Sequence, residues 1–205
     1  MARVKEVKQG GGTGMLTKFK DRLSSIYKII YFDTNQFLRE KTSDPVRLQA
    51  YIEEVNGLLE RCLNEEDEYF LRGVAGNLNR IYGKPREAID HLTFCLNYAK
   101  ERQKFSKEIV SLIRLGEALK YSDQHSDALN NFNLAFEKCV DNNLVEYLDF
   151  VYQHKGKCLL ELARWEEAEE CFLAALKLRQ EKGDLELIQS TKQALDLLKY
   201  KSPES

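Results

Sequence analysis

The sequence predicts an all-α fold, a solenoid of antiparallel helix hairpins, and three observations lead there. Gly76, Gly116 and Gly156 fall forty residues apart, each followed twelve residues later by an alanine: Ala88, Ala128 and Ala168. At the same offset Leu92, Phe132 and Phe172 coincide, and so do Cys95, Ala135 and Ala175. The 205 residues include three prolines and eleven glycines, which leaves room for long uninterrupted helices. A fixed period of this length marks stacked supersecondary units.

Residues 1–14 carry Arg3, Lys5 and Lys8 and the glycines Gly10 to Gly12 and Gly14. With so little apolar surface the segment reads as a flexible head. It is not a phosphate-cradling loop, because Met15 and Leu16 follow Gly14 where a lysine and a hydroxyl residue are needed. Residues 15–63 read as a helical hairpin, a degenerate repeat. Leu16, Phe19, Leu23, Ile26 and Ile30 recur at three and four, the stretch "FDTNQF" at 32–37 interrupts, and Ser43 or Asp44 caps a second helix with Pro45 in its first turn. Leu48, Ile52 and Val55 sit at the offsets of Ala88, Leu92 and Cys95. A terminal unit packs on one side only, so a weakened signature is expected there.

Three units follow, at 64–103, 104–143 and 144–184. Asn64 and the acidic run Glu65 to Glu68 suit the positive end of a helix dipole. Between glycine and alanine the chain must turn, and "YGKP" at 82–85 and "YSDQHSD" at 121–127 supply the turns. Asn143 with Glu146 reads as a capping box, and "EKGD" at 181–184 ends one helix at Gly183 while Asp184 caps the next. The residue types have a physical reason. Antiparallel helices approach closely only where a small side chain leaves room, so glycine on one and alanine on the other mark the crossing. The larger Leu92, Phe132 or Phe172 fills the space beside it. Residues 185–201 read as a closing helix and 202–205 as a tail.

Composition excludes several classes. Net charge is −2, against the strongly basic balance expected of a nucleic-acid binder. No apolar run approaches the ~20 residues that cross a bilayer, and "MARVKEVKQGGGTG" lacks the apolar stretch of a secretory signal. Five cysteines without a CxxC read as small buried hydrophobes in a reducing compartment, which points to the cytoplasm. His91 and Cys95 share one helix face with Glu87 a turn earlier, and His154 and Cys158 repeat that spacing. Both cysteines occupy packing positions, and no fourth ligand is in register, so neither pair reads as a metal site. No nucleophile–base–acid order survives inspection. The expectation is a protein without catalytic, cofactor or metal residues, and not an enzyme.

The glycine–alanine–aromatic–alanine signature resembles the tetratricopeptide repeat family, and "RWEEAEECFLAAL" in the third unit matches it best. Leu92, Cys95 and Lys155 depart from the family's usual residues. The forty-residue period resembles the long-helix variety of Rap-type bacterial regulators, kinesin light chains and Pins-type polarity adaptors. The resemblance implies a right-handed superhelix with a concave groove. Its groove-facing sites fall on Phe70, Gly73, Val74, Asn77 and Arg80, on Val110, Ile113, Arg114, Glu117 and Lys120, and on Phe150, Gln153, His154, Lys157 and Glu161. Phe70, Val110 and Phe150 make an apolar column, and the cations beside them outnumber Glu117 and Glu161. The implied function is an adaptor or scaffold whose partner is a protein or peptide segment, acidic or C-terminal, with apolar anchors. Gly73 stands where the family's chaperone-tail clamp has a lysine, so that ligand is not implied. An alternative is a peptide-responsive regulator of the Rap-like type. A third reading, nucleic acid held by Arg3, Lys5, Lys8, Lys18, Lys20, Arg22 and Lys28, has the near-neutral remainder against it.

Overall fold

A computed structural model describes residues 11–62 and 64–202. It is an all-α solenoid with one small β-hairpin added. In chain order come α1 (Gly11–Arg22), two 3-10 turns (Leu23–Ser25, Tyr27–Ile29), β1 (Ile30–Asp33), a 3-10 turn (Thr34–Gln36), β2 (Arg39–Thr42) and α2 (Pro45–Leu59). Then follow α3 (Glu65–Tyr82), α4 (Pro85–Glu101), α5 (Phe105–Tyr121), α6 (His125–Asp141), α7 (Leu148–Glu161), α8 (Trp165–Lys182) and α9 (Leu185–Lys201). Consecutive helices pack as antiparallel neighbours, α3 on α4, α5 on α6 and α7 on α8, with α9 closing on α8.

Local chemistry accounts for the boundaries. Asp44, Asn64 and Asp184 each accept a hydrogen bond from the amide three residues on, at 2.9, 2.8 and 3.0 Å. The turns obey a rule finer than the forty-residue repeat. Gly83, Gln103, Asp123, Asn143, Ala163 and Gly183 all have positive φ and stand twenty residues apart. Each lies just past a helix, in the left-handed conformation that satisfies the last carbonyls. Asn143 is one of them, with φ 54°, and a 3-10 turn rather than a capping box follows it.

The glycine positions carry the packing. A Cβ built on Gly76 would lie 2.6 Å from Leu92 Cγ, one on Gly116 2.6 Å from Phe132 Cε1, and one on Gly156 2.7 Å from Phe172 Cε1. The large side chain of each second helix therefore rests on bare backbone of the first. The alanines at the repeat's signature positions in the last two units (Ala128, Ala135, Ala168, Ala175) are fully buried on the facing surface.

The N-terminal region differs from the expected helical hairpin. The helix predicted from Met15 to Ile30 stops at Arg22, and Ile30–Thr42 forms an antiparallel hairpin with Phe32 opposite Glu40 and Asp33 opposite Arg39. Gly11 to Gly14 lie in α1, while the remainder of the expected head, 1–10, is outside the described residues, as are 203–205 of the tail. Leu16, Phe19 and Ile26 still face a core, packing with Leu48, Ile52 and Val55 of α2 and Leu71 of α3.

Gly116→Ala is expected to lower stability by ~1–3 kcal/mol through overpacking against Phe132. Gly57→Ala, in a helix with nothing within 4 Å of the new methyl, should be neutral or stabilising by up to about 1 kcal/mol. Equal urea midpoints for the two variants would contradict the crossing geometry.

Candidate functional site

The inner helices α3, α5 and α7 line the concave face, and the β-hairpin lies across their C-terminal ends. Its tip enters first. Phe37 and Leu38 adopt left-handed backbone (φ 52° and 60°), and Leu38 is buried among Leu159, Leu160 and Phe172. Arg39 next holds Glu161 with Nε at 2.9 Å and Nη2 at 2.6 Å. The Glu40 amide donates to the Tyr121 hydroxyl, and its carboxylate receives Arg80. The ring of Tyr121 lies beneath Arg39, Arg80 and Lys120, with centroid distances of 5.1, 4.6 and 5.4 Å.

Behind the hairpin runs a buried chain of charge. Arg80 is 3.7 Å from Glu117, Glu117 is 3.0 Å from Lys120, and Lys120 is 3.7 Å from Glu161. His154 Nδ1 sits 3.0 Å from the same Glu117 oxygen that faces Lys120, and His125 Nε2 lies 2.8 Å from Glu161. The Glu117–Lys120 contact is charge against charge, without the alignment of a directed hydrogen bond. Burial alone would raise the carboxyl of Glu117, yet Lys120, His154 and Arg80 hold it well below its ordinary range. Burial likewise opposes ionisation of Glu40, and the Arg80 charge overcomes it. Lys120 is fully buried, which opposes its charge, and Glu117 and Glu161 nevertheless raise its pKa.

Lys157 is the surplus cation. Its ammonium lies 4.4 Å from the Phe32 ring centroid and makes no ion pair with a described residue. Burial, helped by repulsion from Lys120 and Arg80, pushes its pKa down from 10.5 to about 8, with Glu117 and Glu40 opposing.

The other half of the groove is open. A cavity of ≈ 190 Å³ lies between Ile26, Tyr27 and Ile30 on one side and Phe70 and Val74 on the other, with Arg114 at its rim. Arg114 is exposed and has no hydrogen bond or ion pair to a described residue. Its guanidinium reaches over Gly73, where a Cβ would come within 3.1 Å of Nη1.

The groove positions thus divide. Phe70, Gly73, Val74, Asn77 and Arg114 border the open cavity, although the Asn77 carbonyl already accepts from Arg80 at 2.6 Å. Arg80, Glu117, Lys120, His154, Lys157 and Glu161 lie in the charge chain under the hairpin. Gln153 faces the opposite way, accepting from Arg179 at 3.0 Å and Thr191 at 2.9 Å, where it ties α7 to α8 and α9. Phe150 lies under Arg179 and Lys182, each 5.6 Å from its centroid, and Ile113 is buried in the central core. Val110 is half-buried. The apolar column is therefore not one continuous exposed stripe, and the positive excess is largely neutralised from within. Of the basic N-terminal cluster, Lys20 pairs with Asp67 at 3.5 Å and Arg22 with Glu54, while Arg3, Lys5 and Lys8 are outside the described residues. Leu38, Arg39, Glu40 and Tyr121 were missed by the repeat register, since three of them lie outside the repeats. The run of β-branched and aromatic residues "IIYF" before the turn-forming "DTNQ" was the available signal. Among the described residues no cluster of His, Cys, Asp and Glu could hold a metal ion, and no helix is long and apolar enough to cross a membrane.

The sequence matches no family model and no curated protein. Solved structures with a similar fold include the apo form of RapI, at TM-score 0.69 and 12% identity over 93% of this chain. The chain spans 63% of that structure's length. Bacillus thuringiensis PlcR in its apo form aligns with 92% of this chain and 72% of its own, at TM-score 0.60 and 19% identity. A Podosopora anserina putative kinesin light chain with nearly identical TPR-like repeats aligns over 94% and 97%, at TM-score 0.56 and 10% identity. The shared architecture is a TPR-like helical solenoid.

Arg80→Ala leaves the half-buried Glu40 without its cation and the buried Glu117 with one cation fewer, and is expected to cost ~3–5 kcal/mol. Limited proteolysis should then begin within residues 30–42. A midpoint within about 0.5 kcal/mol of the parent would show that the pair does not hold the hairpin. Lys157 gives a pH signature. Its folded pKa is depressed, so between pH 8 and 10 the unfolded chain binds more protons and stability rises with pH, by on the order of 2 kcal/mol. Urea midpoints of Lys157→Met at pH 8 and pH 10 should lack that rise.

Proposed function

We propose that the protein is a protein-interaction module, not an enzyme, that holds a peptide or partner segment in the open half of its concave groove. One observation carries this reading. Every other groove cation has an internal counterion or is buried, whereas Arg114 is exposed and, among the described residues, unpaired beside an apolar cavity of ≈ 190 Å³. A lone guanidinium next to an apolar recess recognises a carboxylate carried close to an aliphatic or aromatic side chain. The partner is accordingly a segment that is acidic or ends in its own carboxylate, with an apolar anchor. Four buried free cysteines support a reducing, cytoplasmic setting.

A second reading is a peptide-responsive regulator of the Rap-like kind. What favours it is the likeness to RapI and PlcR, whose structures are described as apo forms, over nine-tenths of this chain. Small-angle scattering separates the two, because a rigid adaptor keeps its radius on loading and a regulator changes it.

The test is panning against a library of seven randomised residues displayed with free C-termini. The parent protein should enrich carboxylate-bearing apolar sequences. Arg114→Ala should bind the selected peptide ~10–100-fold more weakly, equivalent to about 1–3 kcal/mol, with an unchanged melting midpoint. Undiminished affinity would place the working surface elsewhere.

A further inference from the structure

The open half of the groove is bounded on one side by backbone. In the β-hairpin, Ser43 N–H donates to Ile29 C=O at 2.8 Å, and Glu40 N–H turns away from β1 to the Tyr121 hydroxyl. With Ile30 opposite Thr42 and Phe32 opposite Glu40, these two bonds set the parity of the ladder. Ile29 accepts from Ser43 just past β2 while its own amide donates to Ile26 C=O, Tyr31 and Asp33 face β2, and Ile30 and Phe32 direct their amides and carbonyls to the outer edge. Ile30 N–H is satisfied by Tyr27 C=O. The Phe32 N–H, the Phe32 C=O and the Ile30 C=O have no partner among the described residues.

The two edges of the hairpin are unlike. The β2 edge is closed by Tyr121 against the C-terminal ends of α3 and α5. The β1 edge faces the vacant groove, because Ile30 at its start lines the cavity and Phe32 lies over Lys157 of α7. Phe32 is 41% exposed and Tyr31 47% exposed, so no described residue covers this edge. An unpaired strand edge is a template for another extended chain.

Direction follows from where the cavity lies. β1 runs from the cavity at Ile30 toward α7 at Phe32. A segment antiparallel to β1 exchanges two bonds with Phe32 and then runs toward Ile30, so its C-terminal end arrives at the cavity. Two residues beyond the paired one, roughly 6–7 Å along a strand, a side chain stands beside Ile30. Arg114 at the rim is the cation that meets the chain's last carboxylate. We propose that the protein captures the free C-terminus of an extended partner segment by adding it as a third strand, antiparallel, to the open edge of β1, with an apolar residue in the Ile30–Phe70–Val74 cavity and the terminal carboxylate on Arg114. This rests on the reading that a partner segment fills the open half of the groove, and it specifies how.

The test uses the peptide selected from the free-C-terminus library, resynthesised as a set of single N-methylated amides and as a C-terminal amide. The strand bonds only through alternate amides, so methylation of the amide facing Phe32 C=O should weaken binding at least tenfold, and of its two neighbours less than twofold. Amidation of the terminus should also cost at least tenfold. On the protein, Phe32→Pro removes the outward N–H without touching a hairpin bond, and Phe32→Ala is its control for loss of the ring. The proline variant should bind at least fivefold more weakly than the alanine variant at equal helix content. N-methyl effects without alternation, with the peptide still bound, would overturn strand addition and leave groove binding standing. An amidated peptide that binds equally would overturn capture of a C-terminus. Failure to select any peptide would remove the groove reading itself. A parent protein that elutes as a dimer, and as a monomer after Phe32→Pro, would assign the edge to a second copy of this chain and overturn the proposal. The peptide scan decides the matter even where Phe32→Pro fails to fold.

Discussion

Contact between a large side chain and bare helical backbone sets the geometry on which everything else depends. Phe132 over Gly116 and Phe172 over Gly156 bring paired helices closer than any side chain at the glycine would permit. Leu92 does the same over Gly76 with a smaller group. Because the contact recurs every forty residues, so does the tilt between hairpins, and a recurring tilt is what curves a stack into a groove. The left-handed residues at twenty-residue intervals act beside it, ending each helix at the same point so that register does not drift. A concave face lined by α3, α5 and α7 is thus a consequence of packing on the other side of those helices.

Such a face poses an electrostatic problem, because its cations and carboxylates converge as it curves. Buried ion pairs seldom repay their desolvation unless each charge is met from more than one side. Here Glu117 is met by Arg80, Lys120 and His154, and Glu161 by Arg39, Lys120 and His125. The hairpin brings Arg39 and Glu40 into that network, which explains how two four-residue strands, too short to be stable alone, hold their place. Lys157 is left without an ion pair among the described residues, at a depressed pKa near 8, and the mismatch sits at the border between the closed and open halves of the groove.

The repeat was legible in the sequence because its determinants are single residue types at fixed spacing. Glycine, alanine and a large apolar side chain can each be read without knowing what they touch. Helix starts at Asp44, Asn64 and Asp184 were legible for the same reason, since a cap is a local interaction. The hairpin was not. Leu23, Ile26 and Ile30 continue the helical spacing of Leu16 and Phe19, and their burial satisfies that periodicity even though the backbone leaves the helix at Arg22. What overrides local preference is tertiary: Leu38 and Arg39 have their partners on α7, more than a hundred residues away. Groove positions inherited this error. Arg80 and Glu161 were legible as facing inward, but their partners Glu40 and Arg39 come from a segment that the repeat register does not contain.

Gln153 shows the limit of reading a groove by offset. Its position corresponds to Ile113 and Gly73 of the earlier units, yet its side-chain carbonyl is taken by Arg179 and Thr191. Arg179 is 2% exposed and bonded also to Asp149 at 3.0 Å and to the Leu187 carbonyl at 3.1 Å. An apolar interface would admit α9 in several rotations, whereas the two bonds that Arg179 directs to the Leu187 carbonyl and the Thr191 hydroxyl admit a single one. The last repeat therefore turns its inner surface toward the closing helix, and the hairpin covers its C-terminal end. With α7 committed on both sides, the surface we propose for a partner is the stretch from α3 to α5, where the strand edge that no described residue pairs, the apolar cavity and Arg114 meet.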